Sequence, residues 1–89
     1  MEPWQFVFTG VTYRANTIDF GISINRQGYT LKMDYETAKD YGSFWEQVKQ
    51  QTGRSLTPKD GYPAEKLAEL KKGWAAMVEA EVWKAKSQN

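Results

Sequence analysis

Eighty-nine residues make one domain at most, able to bury a modest core. Hydrophobic residues at 40% and charged ones at 26% mark a globular rather than a disordered chain, and four Trp, five Tyr and four Phe carry the burial that few Leu and Ile leave undone. The formal net charge is +1, and the absence of both Cys and His removes disulfides, thiol chemistry, the usual general base and the usual transition-metal ligands.

Charge is balanced along the chain as well as in total. Residues 1–35 carry three basic and three acidic side chains, residues 36–62 four of each, and residues 63–89 five basic against four acidic. A nucleic-acid binder usually carries a basic stripe, and neither a basic stripe nor an acidic counterpart is present. The opening "MEPWQFVF" lacks the pattern of a signal peptide, and no apolar run approaches the roughly 18 residues of a membrane span. A cytoplasmic protein without membrane attachment is expected.

In chain order, "WQFVFTGVTYRA" starts with Trp4, Phe6 and Phe8 in phase and continues with Val11 and Tyr13 out of phase, so a bulge or bend is expected at Gly10. "TIDFGISIN" alternates Ile18, Phe20, Ile22 and Ile24 with polar residues, the period of a half-buried strand. "YTLKMDY" repeats that period, and "NRQG" between the two supplies turn chemistry. The expectation is a three-stranded antiparallel meander over residues 1–35 with one aromatic-rich face, leaving Thr17, Asp19, Ser23, Thr30, Lys32 and Asp34 in water.

The period then becomes helical. Ser43 and Glu46 have capping-box spacing and Gly53 is a stop, which predicts a short helix over 43–52 burying Phe44, Trp45 and Val48. "ETAKDYG" reads either as a helical turn or as a loop, with Gly42 as a break, and residues 54–62 read as a connector. From Pro63 a long helix is predicted over 63–86, roughly 36 Å in length. The fold class is therefore α+β, ordered β-β-β-α-α in a single domain spanning 1–89, with the helices packed on one face of the sheet.

Within the long helix, Leu67, Leu70, Trp74, Met77, Val78, Val82 and Ala85 fall in one stripe of about 140°. Trp74 and Trp83 are nine positions apart, two and a half turns, and so face opposite ways. Trp83 shares the back face with Gly73, Ala76 and Ala80, small residues beside an aromatic anchor of the kind favoured at protein interfaces. Glu81 interrupts the core stripe, and a pair with Lys84 one turn on accounts for it.

Two functional readings follow. The first is a non-enzymatic, cofactor-free module that binds a protein through Gly73, Ala76, Ala80 and Trp83, the partner being a second copy or a different protein. Free-standing domains of this size are often accessory factors, assembly chaperones or inhibitors, some of them phage-encoded. The second reading is a nucleic-acid-binding domain that lays its three-stranded sheet in a groove, by analogy of topology alone. There the polar surface would be Arg14, Asp19, Ser23, Thr30 and Lys32, whose two acids oppose phosphate.

Overall fold

The computed structural model describes residues 4–58 and 61–87. Glu2, Lys59 and Asp60, counted in the charge balance and, for the last two, in the connector, lie outside the described residues. Three strands, β1 (Phe6–Tyr13), β2 (Ile18–Ile24) and β3 (Gln27–Met33), form an antiparallel sheet in the order β1-β2-β3. Helices α1 (Tyr35–Lys39), α2 (Tyr41–Thr52) and α3 (Ala64–Ser87) follow. The α+β layout is as the sequence implies, with one more helix.

The phase change in β1 is a register shift. Phe8 pairs with Ile22 and Gly10 with Gly21, so Thr9 is the extra residue of the bulge. That insertion turns Val11 and Tyr13 back onto the face of Phe6 and Phe8, opposite Phe20 and Ile18. An added Cβ at Gly10 meets nothing within 4 Å, whereas at Gly21 it would lie 2.7 Å from the Thr9 hydroxyl, so the close approach falls on the facing strand. Strands β2 and β3 are joined through Asn25 and Arg26, both with positive φ (50° and 73°), the backbone of a type I′ hairpin.

Helix α1 was ambiguous in sequence because five residues are too few to show a period. Asp34 defines it by accepting from the Thr37 N–H at 2.7 Å, so Asp34 leaves the strand and becomes a cap rather than a sheet-face residue. Helix α2 starts two residues earlier than its predicted start at Ser43. Its N-cap is Asp40, whose carboxylate accepts from both the N–H and the hydroxyl of Ser43, so Ser43 serves the cap instead of being it, and Gly42 sits inside the first turn. Gly53 closes the helix in the left-handed region (φ 76°). Asp40 also ends α1, so one residue makes the corner between two helices.

The Thr37 side chain, then its backbone N–H, holds the Asp34 carboxyl below the ordinary carboxylate range, and Ser43 does the same at Asp40. Groups lowered on folding stabilise above their unfolded value and lose that contribution as pH falls through the folded one. The melting temperature should therefore fall on acidification through and below the ordinary carboxylate range. Asp40→Asn, which keeps an acceptor but does not titrate there, should make that fall shallower in thermal scans against pH.

The helical layer lies on one face of the sheet, with α1 packed against α2 and α3. α3 lies against β1 and α1, and α2 lies against β3. The core joins Ile18, Phe20, Ile22 and Ile24 of β2 and Leu31 and Met33 of β3 to Phe44, Trp45 and Val48 of α2 and Trp74, Val78 and Val82 of α3. Leu70 and Met77 pack against this core, and Leu67 and Ala85 are half-buried. Two indoles also tie distant segments together: Trp4 Nε1 donates to the Leu56 carbonyl and Trp74 Nε1 to the Ala38 carbonyl, each at 2.9 Å. The molecule measures 40 × 26 × 21 Å, its long axis matched to the roughly 36 Å of α3. Among the described residues no helix is long and apolar enough to cross a membrane.

Candidate functional site

Helix α3 separates its two tryptophans as its period requires. Trp74 is 1% exposed, whereas Trp83 is 70% exposed. Trp4, Trp45 and Trp74 join one another at centroid distances of 5.8–5.9 Å. The Trp83 ring enters no aromatic pair among the described residues; the contact at its residue is through its backbone carbonyl, which accepts from the Ser87 hydroxyl at 3.0 Å. It neither folds over a loop nor joins the core. Gly73, Ala76 and Ala80 are exposed as well. The four residues thus lie together along the outward side of α3, as an open strip rather than a pocket.

The cavities lie elsewhere. One of about 250 Å³ opens between the β1 bulge, Phe8 to Val11, and the inward edge of α3 at Glu81, Lys84 and Ala85. Glu81 is half-buried there. Its expected pairing with Lys84 is not formed: among the described residues the ion pairs are Arg14–Asp19 and Lys39–Glu36. Glu81 instead borders the polar gap at the bulge, where the ladder of β1 is interrupted.

Compared with protein-family models, with curated proteins and with solved structures, the chain matches none.

The outer face of the sheet brings the second set of residues together. Asp19 lies between Thr12 and Lys32 in register, Ser23 between Val7 and Gly28, and Thr30 opposite Gly21. Arg14, just beyond β1, reaches Asp19 with Nε 3.0 Å from Oδ2. The other carboxylate oxygen of Asp19 is buried without a hydrogen-bond partner. The charge of Arg14 is thus directed at an internal carboxylate, and the polar surface has less free positive charge than its composition suggests. Among the described residues no group of three or more acidic side chains could hold a metal ion.

Three features of these surfaces were not read from the sequence. Val7 is 56% exposed on the outer sheet face; its place opposite Phe6 and Phe8 in the alternation was the available signal. Tyr13, also exposed, carries the Lys86 ammonium 4.8 Å above its ring. Gln51 on α2 donates to the Lys32 carbonyl at 2.8 Å and accepts from the Lys32 N–H at 3.0 Å. Its side-chain amide stands where the backbone of a fourth strand would pair with β3. Only the packing of α2 against β3 reveals that role.

Proposed function

We propose that this protein acts by binding another protein through the outward side of α3, as an accessory factor, assembly chaperone or inhibitor would. The observation that carries this reading is the 70% exposure of Trp83 on a helix whose other tryptophan is buried, in line with exposed Gly73, Ala76 and Ala80. A large exposed indole costs hydration free energy that only a covering surface recovers, and the small neighbours let such a surface approach the helix backbone. The sheet reading has less support, because Arg14 is engaged by Asp19.

The test is a photo-crosslinking residue, benzoylphenylalanine, in place of Ala80, expressed with and without Trp83→Lys. A discrete protein adduct is expected, lost in the Trp83→Lys background. Since Trp83 is 70% exposed, its substitution should change stability by no more than about 0.5 kcal/mol in urea unfolding. No adduct, or an adduct indifferent to Trp83→Lys, would overturn the proposal.

A further inference from the structure

The outward side of α3 carries a charge order with a particular symmetry. Following the helical period from Glu65 to Lys86, the exposed residues within about 60° of the Trp83 direction include Glu65, Glu69, Lys72, Ala76, Glu79, Trp83 and Lys86. They are spaced alternately four and three apart, the seam along which a second helix lies. About the midpoint between Ala75 and Ala76, Lys72 on one side is matched by Glu79 on the other, and Glu65 near the start by Lys86 near the end. Reversing the helix end for end about that midpoint therefore places each of these charges opposite the contrary one. A partner of unrelated sequence has no need of that property, whereas two antiparallel copies of one helix do.

We infer that the partner of this face is a second copy of the chain, its α3 antiparallel to the first about a twofold axis that passes between Ala75 and Ala76. The inference rests on the protein-binding reading of α3 given above. In this arrangement Ala75 and Ala76 of one copy lie beside the axis against Ala76 and Ala75 of the other, which permits close approach of the two backbones. Lys72 of each copy meets Glu79 of the other, and Trp83 covers Ala68 and the methylenes of Glu69. A parallel arrangement would set Lys72 against Lys72 and Glu79 against Glu79.

Lys86 is partly engaged by Tyr13 of its own chain, so the Lys72–Glu79 pair is the decisive one. The area limits the strength. A helix about 36 Å long and about 10 Å across offers roughly 400 Å² per copy, half of the roughly 800 Å² of a standard interface. The dimer is accordingly weak and reversible, with dissociation in the micromolar range.

Sedimentation equilibrium of wild type, Lys72→Glu, Glu79→Lys and the double swap tests the register. Each single swap sets like charges together at two symmetry-related places and should raise the dissociation constant about tenfold. The double swap should restore it to within about threefold, with helical content unchanged in all four proteins. Because the chain has no cysteine, Ala76→Cys provides an independent check: it should oxidise to a disulfide dimer, while Glu65→Cys, far from the axis, should not.

A wild-type monomer up to about 1 mM, or a double swap no better than the singles, overturns the second-copy inference. If the adduct at position 80 then contains a different protein, the proposed function stands with another occupant. If there is no adduct, both fall together.

Discussion

Trp74→Ala should leave the protein unfolded, or nearly so, at ambient temperature. Trp74 is 1% exposed, and its ring lies 4.8 Å from Phe44, 5.5 Å from Phe6 and Tyr41, and 5.8 Å from Phe8 and Trp45. Those residues come from β1 and α2, so one side chain holds the sheet and two helices in register. Removing a buried Trp side chain costs about 3–5 kcal/mol, against a total stability of about 5–15 kcal/mol that a small domain holds toward the low end. The Ala38 carbonyl also loses its donor. Trp74→Phe separates the two contributions: it keeps most of the ring packing and forfeits the hydrogen bond, so it should lie between wild type and Trp74→Ala in urea unfolding followed by far-ultraviolet circular dichroism.

Arg26→Gly should act in the opposite direction. The hairpin between β2 and β3 needs positive φ at two successive residues, and Arg26 supplies it at 73° with a Cβ in place. A left-handed residue other than glycine costs about 1–2 kcal/mol, less for Asn or Asp, and glycine gives back about half of that through the freedom of the unfolded chain. A net gain of about 0.5–1 kcal/mol is expected, visible as a melting temperature higher by several degrees. Asn25 should not respond in the same way. Its φ of 50° suits its residue type, and its side-chain oxygen accepts from the Gln5 N–H at 2.9 Å, a bond that glycine would lose. Thermal scans of the two variants side by side should show a rise for Arg26→Gly and none for Asn25→Gly.

The contrast between these residues shows where sequence is sufficient. Strands β2 and β3 follow from alternation because one face of each is buried and the other is not, and a slip by one residue would invert every side chain. The out-of-phase pair Val11 and Tyr13 signals the bulge within β1. The bulge residue is Thr9, next to the expected Gly10, and the tight approach falls on Gly21 of the facing strand, which no pattern within β1 contains. At the start of α2 the chain offers Asp40 and Ser43, both able to cap. The choice falls to Asp40 because its carboxylate engages two donors of Ser43, whereas a helix starting at Ser43 would leave the preceding turn without a cap.

The candidate site divides in the same way. That Trp83 faces away from Trp74 is arithmetic on a helical period, and its exposure follows once the core stripe is filled. The roles of Gln51 at the β3 edge and of Arg14 at Asp19 depend on which elements come to lie beside one another. Composition counts Arg14 as free positive charge, whereas the fold pairs it with Asp19, which balanced totals do not reveal.

The separation of the tryptophans has an optical consequence. Trp4, Trp45 and Trp74 sit within 6 Å of one another in a chain of contacts and will exchange excitation energy, whereas Trp83 stands apart in water. Its emission should be red-shifted relative to the clustered three and should be the part quenched by dissolved acrylamide. The native chain thus carries its own reporter on the surface of α3: whatever covers that helix should shift emission to the blue and protect it from quencher, without a label and without disturbing the strip it reads.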